Sequence, residues 1–273
     1  MLKFDLQKGK GYDYDMSWDY DQGIMGQNVA MTMGAGYSLD IIGDDGNIKT
    51  INGEFKNFKM NMKVMGMEIN IDTDKPVKNE IEDSTAIGEN ISNKMNKIFG
   101  LITGKKFTMK VNREGEVLDV SGFDQIISSM ADSSGMDEEQ RQKVMQTINQ
   151  QVNEKEIKNR FADIFYIFPQ REVKVGDTWE KEYDASSAKM PVKNHTVYKV
   201  KEIEGDMVTI SAKTDITSSD ENIKVDGKQT GTLIVDSRSG LVVNAEFDQE
   251  ISVSVNGMSF TMNGKGKIKG TAK

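Results

Sequence analysis

From Gly11 to Gly23 the chain reads GYDYDMSWDYDQG. Tyr12, Tyr14, Met16, Trp18 and Tyr20 share one parity, and Asp13, Asp15, Ser17, Asp19 and Asp21 share the other. A period of two predicts a strand with one dry and one wet face. The next segment repeats it with Val29, Met31, Met33, Ala35, Tyr37, Leu39 and Ile41, backed by small residues on the opposite parity. Gly34-Ala35-Gly36 within it predicts a bend or bulge, and Gly43 to Asn47 is turn chemistry. Phe58, Met60, Met62 and Val64 share a face with Met67, Ile69 and Ile71 if Met65-Gly66 is a two-residue hairpin loop, which sets Met62 opposite Ile69.

Near Asp83 the spacing becomes helical. Ile87, Ile91, Met95, Ile98, Phe99 and Ile102 form a stripe that ends at Gly104. A hairpin over 105–120 turns at Asn112 to Gly115. Phe123, Ile126, Ile127 and Met130 suggest a short helix, and Ser134 to Glu139 caps a longer one with the stripe Val144, Ile148, Val152. Helix resumes through Phe161, Ile164 and Phe165 up to Pro169. From Val175 strands return over Val197–Ile203, Met207–Ala212, Gly231–Val235 and Leu241–Val255. Asn256-Gly257 marks a hairpin that sets Val253 opposite Phe260. The strand-turn text from Tyr37 is echoed from Tyr198, and that from Phe107 is echoed from Thr232; duplication and generic β-meander patterning both produce such echoes.

The reading is one α+β domain over 1–273: a β-meander at 1–82, a mainly helical middle at 83–168, and a second β-meander at 175–273. A curved antiparallel sheet from both chain ends carries the middle helices on its apolar face.

Composition narrows the function. Apolar residues make up only 37% of the 273, with 25 glycines and a net charge of 35 − 43 = −8. That balance suits a sheet with one wet face and argues against a nucleic-acid partner held by bulk charge. The absence of cysteine removes disulfides and thiolate metal sites. No apolar run reaches the roughly 18–20 residues of a membrane span, and MLKFDLQKGK contains no signal-peptide core.

Candidate chemistry is sparse. The Asp13, Asp15, Asp19, Asp21 row matches the odd ligand positions of a calcium loop, but alternate strand residues stand roughly 6.5–7 Å apart, too far for four carboxylates to converge on one ion. The row is read as a solvated face, without metal. His195, the single histidine, sits in ordinary strand sequence. Gly100 to Lys106 departs from a phosphate loop in spacing and in its final residue, and reads as a helix end before a strand. No catalytic motif and no cofactor motif occurs, so no enzyme is expected. The remaining signal is methionine, 18 in all. Met31, Met33, Met60, Met62 and Met67, joined by Phe260 and Met262, fall on the apolar parity of their strands and are the candidate ligand-binding residues, because methionine adapts to irregular apolar partners.

Pro169, followed by Val173-x-x-Gly176-Asp177-Thr178-Trp179, resembles a family of uncharacterised Bacteroidetes cell-envelope proteins with no assigned function. Lys8-Gly-Lys-Gly-Tyr-Asp-Tyr14 and Val235-Asp-Ser-Arg-Ser-Gly-Leu-Val-Val243 are similar to that family's opening and closing strands. The resemblance implies an exported protein, periplasmic or at the outer membrane or cell surface, whose leader is absent from this sequence. It brings no catalytic residues. The plan is also similar to lipoprotein carriers, whose sheet and helices enclose an apolar cavity. Gly176 and Asp177 are expected to form a tight turn that delivers Trp179 to the core. The expected function is non-enzymatic binding of an apolar small molecule or lipid between sheet and helices. The alternative is a structural or partner-binding envelope protein with a filled core; a hydrolase using unassigned acids is a third reading.

Overall fold

Two strands from opposite ends of the sequence are built for one another. β1 (Gly11–Ile24) lies antiparallel to β12 (Met258–Ala272), with Tyr14 opposite Gly270, Trp18 opposite Gly266 and Tyr20 opposite Gly264. The glycines leave room for the rings: a Cβ on Gly266 would lie 2.3 Å from the Trp18 indole, and one on Gly264 2.8 Å from Tyr20. On the other face the aspartates meet lysines, Asp15 opposite Lys269 and Asp19 opposite Lys265. Opposite charges facing across strands stabilise by roughly 0.2–1 kcal/mol per pair. The acid row is therefore one side of a charge ladder, and Lys265 and Lys267 also face Asp248 and Glu246 of β11.

The computed structural model describes residues 1–24, 27–64, 66–76, 87–123, 126, 154–187, 190–218, 223–255 and 258–273. Around the β1–β12 seam it forms a single antiparallel sheet. The other elements are β2 (Gln27–Asp44), β3 (Ile48–Val64), β4 (Met67–Asp72), α1 (Ile87–Gly100), β5 (Lys106–Asn112), β6 (Val117–Ser121), α2 (Glu154–Phe165), β7 (Thr178–Ser187), β8 (Met190–Glu204), β9 (Met207–Ser218), β10 (Ile223–Asp236) and β11 (Leu241–Val255). The strand order is β6-β5-β3-β2-β1-β12-β11-β10-β9-β8-β7, with β4 added beside β3. Each chain end contributes a meander, and the seam joins them.

The sheet curls, and α2 touches both β6 and β7, its two edge strands. Phe161 packs 5.6 Å from the Tyr37 ring, and Phe165 packs 4.9 Å from Phe4 and 6.4 Å from Tyr14. The N-terminal segment completes this end. Leu2, Phe4 and Leu6 alternate inward and are fully buried, while Leu2 donates to the Arg171 carbonyl and Asp5 to that of Ser239. Burying each such side chain contributes roughly 1.5–3 kcal/mol. The result is a half-barrel plugged at one end and open toward the other.

The expectation of an α+β fold with helices layered on the sheet is corrected by this arrangement. The structure is nearly all antiparallel β, and the two helices among the described residues serve its edges. α1 lies along β4, where Ser92 Oγ accepts from the Asn70 amide and Asn96 Oδ1 from the Asp72 amide. An unpaired strand edge is costly to leave bare, and the helix covers it. That is why Ser92 and Asn93 are the buried residues of α1, while Ile87 at the head of the predicted stripe is exposed. The strands are also longer than their apolar runs suggested. The helix expected over Val144, Ile148 and Val152, the Ser134 to Glu139 cap, Ile127 and Met130, Asp83, Met65 and the Asn256-Gly257 turn lie outside the described residues. The flanking registers place Met62 opposite Ile69 and Val253 opposite Phe260, and a register shift falls at Gly36/Tyr37.

Candidate functional site on the inner face of the sheet

The face that carries α2 can be followed strand by strand through the registers. One transverse row runs Trp179, Tyr198, Ala212, Gly231, Phe247 and Gly266 across β7 to β12. It continues as Trp18, Met33, Met60 and Ile71 across β1 to β4. The next row toward the open end is Thr196, Thr214, Gln229 and Gln249 on β8 to β11, then Gly264, Tyr20, Met31 and Met62. Hydroxyls and amides thus line one side of this row, and aromatics with thioethers line the other. The lumen is amphiphilic.

Glycine again makes the aromatic packing fit. Trp18 stacks on Tyr20 at 6.0 Å and on Phe247 at 6.1 Å, and a Cβ on Gly231 would lie 2.4 Å from the Phe247 ring. Nearer the plug, Leu39, Ile51 and Met109 are completely buried, whereas Trp18, Met31, Met33, Met60 and Met62 are only partly covered. Beyond the polar residues of β8 to β10 a second apolar cluster forms around Ile216, Val225 and Val253.

The predicted ligand-binding residues all fall on this inner parity but in three places. Met31 is the cross-strand neighbour of Met62, and Met33 of Met60. Phe260 packs with the second apolar cluster, and Met262 faces Ile251 and Gln22. Met67 is exposed at the β3–β4 hairpin. Gly176 has φ +94°, and Asp177 accepts from the Lys174 amide at 3.1 Å and from Arg171 at 3.0 Å. These bonds hold the Asp177 carboxyl below its ordinary range. Trp179 is partly buried, stacks on Tyr198 at 5.4 Å, and donates through Nε1 to the Ile167 carbonyl at 2.8 Å. His195 pairs with Glu180 at 3.1 Å. Gly104, at φ +77°, ends the α1 turn and donates to the Phe55 carbonyl. Asp15, Asp19 and Asp21 are exposed; Asp13 pairs with Lys273 at 3.4 Å. No metal-ligating cluster occurs among the described residues.

A small cavity of about 20 Å³ opens in the lumen where α2 faces the sheet. Trp18, Tyr183, Tyr198 and Phe247 give it aromatic walls, and Thr196, Thr214 and Gln229 add polar atoms. Thr196 and Thr214 share a hydrogen bond at 2.8 Å. Asp163 reaches in from α2 and accepts a hydrogen bond from the Tyr183 hydroxyl, which in turn accepts from Asn194 Nδ2 at 2.9 Å. Asp163 is exposed on its lumen side, while the protein packed around its other side raises its carboxyl to about 6 by desolvation; the Tyr183 bond works the other way. Burial likewise pushes the Tyr183 and Tyr198 hydroxyls well up, so both stay protonated donors. Sequence reasoning missed this group because Asp163 carries no local motif and its companions come from distant strands.

Residues 46–242 match the model of a family of unknown function, DUF6263. The chain belongs to DUF6263. The family match spans β3 to β10, including Asp163, Tyr183 and Asn194, and leaves the seam strands β1 and β12 outside it. Comparison with curated proteins gives no match. Among solved structures, this DUF6263 chain is similar to one described as lipid-protein interactions in lipovitellin, at TM-score 0.53 and 12% identity, over 98% of this chain and 26% of that one. It thus spans about a quarter of the lipovitellin chain, and the likeness is one of fold. The translocator domain of the autotransporter NalP from Neisseria meningitidis aligns at TM-score 0.26 and 5% identity, over 97% and 90% of the two chains. Pseudomonas aeruginosa OccK7 aligns at TM-score 0.21 and 7% identity, over 97% and 99%. No helix among the described residues is long and apolar enough to cross a membrane.

Proposed function

We propose that this DUF6263 chain is a non-enzymatic binding protein of the cell envelope whose half-barrel lumen takes an apolar or lipid-like ligand. One observation carries the reading: Met31, Met33, Met60 and Met62 stay partly uncovered beside a core whose Leu39, Ile51 and Met109 are sealed. Leaving flexible apolar side chains in an open concavity costs hydrophobic free energy that a ligand recovers. The small cavity of about 20 Å³ is far below the roughly 300–1,000 Å³ of a drug-sized pocket. The ligand therefore lies along the open inner face, not in a sealed chamber. The lipid part of the proposal is supported by likeness of fold to lipovitellin, whose structure is described by its lipid interactions. The envelope location rests on the resemblance carried by the Val173 to Trp179 motif.

Native mass spectrometry of freshly purified protein tests this by detecting co-purifying lipid. In parallel, an apolar environment-sensitive dye is expected to bind, and Met33→Trp, which fills the lumen beside Trp18, to weaken it several-fold. Absence of both lipid and dye binding would favour a structural or partner-binding role.

A further inference from the structure

The cavity between α2 and the sheet has a chemistry that the apolar reading does not use. Four aromatic side chains from four strands, Trp18, Tyr183, Tyr198 and Phe247, wall a space into which one carboxylate, Asp163, is directed. Among the described residues Asp163 has no ion-pair partner. Lys181, two residues before Tyr183 on β7, is engaged elsewhere: its ammonium lies 4.0 Å from the centre of the Tyr166 ring and 3.9 Å from Glu114. Asn194, which donates to Tyr183, keeps a buried Oδ1 with no hydrogen-bond partner. Asp163 presents an exposed carboxylate beside these rings without a counter-charge, and aromatic faces attract cations. Size completes the argument. A cavity of about 20 Å³ holds one group the size of an –NH₃⁺.

We propose that this cavity binds the primary ammonium group of an amine-bearing amphiphile, with Asp163 as its counter-ion and the Trp18, Tyr183, Tyr198 and Phe247 rings as its walls. The inference deepens the proposed function, on which it rests: the head group sits against the polar row of β8 to β10 while the alkyl part runs over the methionines of β2 and β3. Binding requires the carboxylate form of Asp163. The groups that face it, Tyr183 on β7 and Tyr198 on β8, remain neutral, and Lys181 remains turned to Tyr166 and Glu114. His195 projects on the opposite parity of β8 toward Glu180 and does not enter. Affinity for the amine therefore falls as Asp163 takes up its proton, below about pH 6.

The test is isothermal titration of the intact protein with octylamine, octanol, octanoate and butylamine. At about pH 7.5 octylamine is expected to bind about tenfold more tightly than octanol, with octanoate weakest, as one charge pair with cation–π support would give. Asp163→Asn, which still accepts the Tyr183 hydrogen bond, should remove that preference. The wild-type preference should also vanish by about pH 5, a readout that does not depend on the variant folding. Equal binding of octylamine and octanol at the higher pH would overturn the ammonium site and leave the apolar face standing. Butylamine bound in an Asp163-dependent way with no gain from the longer chain would keep the site and sink the apolar reading. Failure of every probe to bind would overturn both.

Discussion

Gly266→Ala should destabilise this protein out of proportion to one added methyl group. The new Cβ would sit 2.3, 2.5 and 2.6 Å from Cζ3, Cη2 and Cε3 of Trp18. The indole cannot slide along its row, because Tyr20 and Phe247 stack on it at 6.0 and 6.1 Å. It must lift into the lumen, giving up stacking that is worth roughly 0.5–1.5 kcal/mol per pair. Overpacking of this kind costs about 1–3 kcal/mol. Gly266 does not have a left-handed φ, so backbone strain adds nothing. Gly34→Ala is the control: its Cβ would meet Met16 O at 3.5 Å, an ordinary contact, and the change should stay within about 0.5 kcal/mol. Urea unfolding of Gly266→Ala, Trp18→Leu and the double variant measures the coupling. With the ring removed the methyl group fits, so the double variant should be about 1–2 kcal/mol more stable than the sum of the single losses predicts. Additivity within about 0.5 kcal/mol, or a Gly266→Ala loss no larger than that of Gly34→Ala, would refute the account of the seam.

Gly115→Ala places a Cβ 1.7 Å from the Phe165 carbonyl oxygen at a position with φ +87°, and should cost about 3 kcal/mol or more in urea denaturation, since neither backbone can yield cheaply. Trp179→Ala loses the Tyr198 stack and the Ile167 hydrogen bond; a loss near 3 kcal/mol is expected, and full stability would place Trp179 on a binding surface instead. Asp163 gives a pH signature. Its folded carboxyl titrates at about 6 against an ordinary 3.8, so the folded state holds the extra proton between those values. The stability it contributes is complete below 3.8 and is lost as pH rises through about 6. Urea midpoints should therefore fall across that window in wild type relative to Asp163→Asn; parallel curves would show that Asp163 does not titrate there.

Local pattern carried much of the sheet. The alternation from Tyr12 to Tyr20 announces β1, and the turn residues Asn112 to Gly115 lie where β5 gives way to β6. Its partner went unread, although the complement stands in the sequence. GKGKIKG at 264–270 sets Gly264, Gly266, Ile268 and Gly270 on one parity and three lysines on the other, the complement of YDYDMSWDY, and the pairing explains why the aspartates tolerate their own row. Leu2, Phe4 and Leu6 show the same period, in a stretch short enough to pass for an unstructured start. Fold class was misread because a helical stripe reports which side of a helix is apolar and not what the helix serves. α1 turns Ser92 and Asn96 to the bare amides of β4, a duty set by the edge of another element. The cavity lay beyond any spacing argument, since Asp163 meets Trp18, Tyr198 and Phe247 only after seven strands have curled around α2.

Methionine-methyl NMR with an apolar titrant tests the central claim, an open apolar lumen, most directly. With ¹³C-methyl methionine, octanol should move the resonances of Met31, Met33, Met60 and Met62, which face the lumen partly covered, and leave that of Met109, sealed in the core, unmoved. Saturable shifts confined to the lumen methionines are the predicted result. Octanol shifts absent from those four, or appearing only at exposed Met1 and Met207, would contradict it.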